Sequence, residues 1–110
     1  NLDRLVIRNV ALGFLRKDGT TFEIPIAGLH FTPDGDMTSY GGAARTAEGI
    51  ASTRRGNAQS WSPIIGCIPC GTWELALPNT TIVRNRFSSE AVSNIVLVVS
   101  YSGRTPEWPS

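Results

Sequence analysis

The residues with the most evident chemistry are Cys67-Ile68-Pro69-Cys70. Two thiols at this spacing can cycle between dithiol and disulfide when the first opens a helix, where the dipole lowers its pKa. They can also supply half of a zinc site, but zinc needs four ligands, and the chain holds only two cysteines and one histidine, His30. No βαβ pattern surrounds the motif. The expectation is two structural thiols or a local disulfide, with thiol-redox activity through Cys67 and Cys70 as an alternative function. His30 sits between Leu29 and Phe31 in a strand-like run, and no Gly-x-Ser-x-Gly elbow exists to build a hydrolase triad around it. It reads as a partly buried histidine with a satisfied hydrogen bond. Asp34-Gly35-Asp36 offers carboxylates, but Met37 and Thr38 follow where a calcium loop needs further oxygens, so it reads as a turn. No Gly-rich phosphate cradle is present. The chain is therefore expected to be non-enzymatic, without metal or cofactor.

Binding chemistry is the stronger prospect. Arg54 and Arg55 lie a few residues before Trp61, and together they can grip a sugar, a phosphate or an acidic partner by stacking and bidentate contacts. Tyr40 and Trp108 are further candidates for a stacking platform. Trp and Arg are also the residue types that most often anchor protein interfaces. With ten Lys+Arg against nine Asp+Glu, the net charge of +1 gives no pull toward nucleic acid. No apolar run is long enough to cross a bilayer as a helix, which takes about 20 residues. Asn79-Thr80-Thr81 matches a glycosylation sequon, meaningful only in a eukaryotic secretory setting.

The elements that must position these residues read as strands. Asn94 to Tyr101 is a continuous β-branched and aliphatic run ending in a tyrosine, which predicts a central strand buried on both faces. Leu5–Leu15 and Thr20–Ile24 are separated by Lys17-Asp18-Gly19, a hairpin signal with Gly19 supplying the positive φ. Pro25 ends or edges the second of these strands. Ile26–Phe31 is a further short strand, followed by turn chemistry from Thr32 to Asp36. Ala43–Glu48 is compatible with a short helix or with an edge strand. Trp73, Leu75 and Leu77 alternate onto one face and place Trp73 in the core. Asn79–Thr81 reads as a turn, Ile82-Val83 as a small strand, and Ser88–Val92 as one capped helical turn. Short strands between dense turn signals predict an all-β, antiparallel β-sandwich, jelly-roll-like, with few or no helices. One sandwich domain is expected over residues 1–103, with a Pro-rich tail or linker over 104–110. The opening Asn1-Leu2-Asp3-Arg4 lacks a basic-then-apolar block, and the missing initiator Met suggests a processed product or an excised domain.

Three blocks occur in order: Glu48-Gly49-Ile50-Ala51-Ser52-Thr53 with Arg55-Gly56-Asn57-Ala58, then Gly71-Thr72-Trp73-Glu74-Leu75-Ala76-Leu77-Pro78, then Phe87 followed by Val92-Ser93-Asn94-Ile95-Val96-Leu97-Val98-Val99-Ser100-Tyr101. Together they resemble the C-terminal region of the A subunits of bacterial Tc (insecticidal toxin complex) toxins, over roughly half of the chain. That resemblance implies a β-sandwich-rich region that engages the B-component, and it implies no catalytic residues. Ser60 to Cys70 stands where the family usually carries an extra strand, and the Thr105–Pro109 tail runs past the family's usual stop. The expected function is a non-catalytic docking module contacting a protein subunit of a toxin-like assembly, secreted or extracellular, with no membrane insertion by this domain alone. A free-standing carbohydrate-binding sandwich is the alternative.

Overall fold

The computed structural model describes residues 5–16, 23–89 and 92–102. Two three-stranded antiparallel sheets make up the domain. β1 (Val6–Arg16) is the centre of one, flanked by β4 (Ile50–Ser52) and β6 (Val92–Ser102). β2 (Pro25–Pro33) is the centre of the other, flanked by β3 (Tyr40–Arg45) and β5 (Gly71–Ala76). A 3-10 helix (Gln59–Ile64) lies against β3, and α1 (Thr81–Ser88) connects β5 to β6. This is the sandwich that the alternation of apolar and polar residues predicts.

The core lies between the sheets. Ile7, Val10, Leu12 and Phe14 of β1 are buried, and so are Ile26, Leu29 and Phe31 of β2. A register irregularity between Ile7 and Asn9 adds one residue to β1, so its inward positions pass from odd to even numbers. Phe31 packs against Trp73 with ring centroids 4.4 Å apart, and Phe14 meets Phe87 of α1 edge-on at 6.4 Å. Trp73 is half-buried against the core, as its alternation implies.

Several expectations need correction. The Asn94–Tyr101 run is a strand, but it is an edge strand, and β1 holds the central place. A continuous apolar run looks the same whether both faces are covered or one face and one edge still lack a neighbour. The Asp18-Gly19 turn lies outside the described residues, yet the strands flanking it belong to different sheets, so no described ladder joins them as a hairpin. Pro25 opens β2 rather than ending a strand, which suits a residue without an N–H. Of the two readings of Ala43–Glu48, the edge strand holds: Ala43–Arg45 belongs to β3, at the edge of its sheet. Ile82-Val83 is helical: the Thr80 hydroxyl accepts from the Val83 amide and caps α1, while Val83 and Phe87 turn inward. Ser88 closes this helix instead of starting one. The 104–110 tail lies outside the described residues.

Candidate functional site

The two sheets are joined at one side by a tight corner. Ala47 and Ile50 exchange both backbone hydrogen bonds across Glu48-Gly49. Both turn residues have positive φ, 54° and 80°, which is the type I′ geometry that matches strand twist. Glu23, just before β2, holds this turn. Its carboxylate accepts from the amides of Gly49 (2.8 Å) and Glu48 (3.1 Å), from the Thr46 hydroxyl (2.8 Å) and from Arg16 (3.2 Å). Burial pushes the Glu23 pKa up, but the Gly49 amide, the Thr46 hydroxyl, Arg16 and the Glu48 amide outweigh it, so it lies below the ordinary carboxylate value. All four acceptor directions of the carboxylate are occupied by the protein's own donors, which makes Glu23 a structural clasp rather than a general base.

The same side of the sandwich has its strand edges covered by side chains. Asn57 receives the Ser52 amide at 2.9 Å and donates to the Ile50 and Arg45 carbonyls at 2.9 and 3.0 Å. It thereby behaves as a short stand-in strand along β4. Trp61 donates its indole N–H to the Gly42 carbonyl, and Ser60 donates to Ala43, so β3 is served as well. The edges of β3 and β4 thus have few backbone groups left to offer.

Among the described residues, little covers the opposite side, formed by β5 and β6. Backbone direction along β6 follows from its neighbour. Phe14 sends its amide to Gly49, and Val10 exchanges hydrogen bonds with Thr53, both away from β6. Their register partners Ile95 and Val99 must then turn their backbone groups outward, and Leu97 between them does the same. Among the described residues, the one group bonded to that outer backbone is the Asn94 side chain, which takes the Ile95 amide. The inward-facing leucines on this side are also incompletely covered. Leu75 lies opposite buried Leu29, and Leu97 opposite buried Leu12, yet each is 38% exposed. On the outer face Val98 is 52% exposed beside Ala11, and Val96 stands beside Gly13. No residue from Val92 to Ser102 carries a charge. Native edges are usually blunted by charge, proline or a covering segment. Among the described residues, none of these guards β6.

α1 extends the bare side. Leu77, Pro78, Val83 and Phe87 line an apolar recess of about 650 Å³ with Arg84 at its margin, and Ile82 projects outward.

The residues singled out from sequence do not converge. Trp61 is wholly buried in the core, 0% exposed, and offers no stacking face; a covering 3-10 helix is invisible to a reading that sees only its arginine neighbours. Arg54 and Arg55 are exposed in the turn after β4, where Arg55 donates to the Ala47 carbonyl. Tyr40 opens β3 and donates to Asp36, whose negative charge raises the tyrosine pKa. Asp36 also accepts from the Thr38 amide, the main cause of its lowered pKa, and closes the turn predicted there. No hydrogen bond joins Tyr40 to Arg54 or Arg55 among the described residues, so the platform is dispersed. Trp108 lies outside the described residues.

Cys67 and Cys70 are both free thiols, half-buried. Their segment bridges the sheets: Ile7 donates to the Cys67 carbonyl and Asp34 to that of Cys70. Burial, with Asp36 adding to it, pushes the Cys67 thiol up, opposite to what a redox nucleophile requires. His30 lies half-buried between Gly41 and Glu74 on the outer face of its sheet, with no hydroxyl or thiol bonded to it among the described residues. Among those residues no group of three His, Cys, Asp or Glu side chains gathers to hold a metal, and no helix is long and apolar enough to cross a membrane. Sequence reasoning missed Glu23, Asn57 and the bare edge. The absence of charge across Val92–Ser102 was the one signal available for the last of these.

Comparison with known proteins returned no match to a family model, to a curated protein or to a solved structure.

Proposed function

We propose that this chain is a non-catalytic docking module whose contact surface is the β5–β6 side of the sandwich. One observation carries the reading: side chains cover the edges of β3 and β4, while β6, eleven residues long and without charge, is left open by the described residues. Long, apolar, unguarded edges are where another polypeptide adds. The partly exposed Leu75 and Leu97 and the recess beside α1 add apolar area to the same side. The resemblance of its second half to toxin-complex A subunits points to a B-component-type subunit of a toxin-like assembly as the partner.

Size-exclusion of the chain with the B-component-type product of a neighbouring gene tests this. Co-elution at micromolar concentration is expected. A Leu75→Lys, Ile82→Lys double variant, altered on the β5–α1 half of the surface, should lose it. Separate elution of the wild-type pair, or binding unchanged in the variant, overturns the reading.

A further inference from the structure

We infer that the β6 edge is occupied by β6 of a second copy of this chain, so that the docking-competent unit is a two-fold dimer. The inference rests on the reading of the β5–β6 side as a contact surface and names who takes half of it. Three observations carry it.

The first is hydrogen-bond phase. The outward backbone groups of β6 belong to the odd residues Ile95, Leu97 and Val99, as set by Phe14 and Val10 facing β4. An antiparallel pair about a two-fold axis through Leu97 sets Leu97 against Leu97 of the second copy, and Ile95 against Val99. Each of these pairs turns its backbone groups toward the new seam, as an antiparallel ladder demands, with the Ile95 amide exchanging the Asn94 side chain for the Val99 carbonyl of the second copy.

The second is the side-chain pattern, which is close to palindromic about Leu97. The same register sets Val96 against Val98 and Asn94 against Ser100. Apolar meets apolar in the middle and polar meets polar at the ends, on the correct face in each case. A one-residue slip would place Leu97 against Val98, mixing inward and outward faces.

The third is charge. An isologous seam puts every residue against its own kind, so a single charged residue at its centre would oppose itself. β6 has none from Val92 to Ser102, whereas β5, the other open edge, carries Glu74. The pairing would join the two β4-β1-β6 sheets into one six-stranded sheet and draw together the exposed Leu97 side chains, leaving β5 and α1 for a different partner.

Analytical ultracentrifugation of the chain from about 1 to about 200 µM tests this, since a dimer fraction rises with concentration. The expected result is a shift from the 11.9 kDa monomer to twice that mass. Leu97→Lys and Leu97→Glu should each remain monomeric while keeping the circular dichroism of the wild type. Mixed one to one, they should recover the dimer, because residue 97 faces residue 97 across the axis; a merely unfolded variant would not be rescued. Wild-type protein that stays monomeric over the whole range, or single variants that dimerise as wild type does, overturns the inference. A monomer that still co-elutes with the B-component-type subunit overturns the dimer alone, whereas a dimer that never does so overturns the docking partner alone.

Discussion

Removing the Glu23 carboxylate should unlatch the corner between the sheets. Four donors converge on it: Gly49 and Thr46 at 2.8 Å, Glu48 at 3.1 Å and Arg16 at 3.2 Å. A fully buried set of this kind would be worth several kcal/mol, but the side chain is 39% exposed, and water can replace part of what is lost. We expect Glu23→Ala to cost about 2 kcal/mol and to lower Tm by roughly 8 °C. Glu23→Gln should cost about 1 kcal/mol, because its amide keeps one acceptor while its NH2 faces donors. The sign with pH follows from the lowered folded pKa. The contribution is complete above the ordinary value of 4.5 and fades as pH falls through the lower folded value. Urea unfolding followed by Trp fluorescence at pH 7 and in steps below pH 4.5 reads this directly. A Glu23→Ala cost under about 0.5 kcal/mol at pH 7, or a gap from wild type that does not narrow in acid, refutes the clasp.

Three further outcomes are expected. Asn57→Ala should cost about 2 kcal/mol in chemical denaturation and raise light scattering on storage, because it uncovers the β4 edge at Ile50 and Ser52. Gly49→Ala should cost about 2 kcal/mol, with a Cβ 3.0 Å from the Phe14 carbonyl at φ +80°, whereas Gly56→Ala, at φ +81° in open space, should cost about 1 kcal/mol in the same assay. With its thiol pKa raised, Cys67 should react with a disulfide reagent more slowly than free cysteine at pH 7, and a Cys70→Ser variant isolates that rate.

What could be read in advance was local. The two-residue period placed Trp73 and Leu77 against the core, and Asp34-Gly35 gave its turn. What could not be read was long-range. Glu23 meets its turn across 25 and 26 residues, and Trp61 reaches Gly42 across 19, distances at which no sequence period operates. β-Branched Ile82-Val83 suggested a strand, but a threonine cap and two inward side chains outweigh propensity over eight residues. The candidate site suffered most, because exposure of an aromatic cannot be inferred from its neighbours in the chain. Trp61 is the case in point.

The central strand β1 and its partner β6 are widely separated in sequence, with Arg8 meeting Ser102 across 94 residues. During synthesis β1 must therefore wait, one flank open, until the residues of β6 have emerged. Loop-closure entropy over so long a span makes the final docking slow relative to the early turns. A chain cut short before Val92 would leave that flank of β1 exposed as a sticky edge.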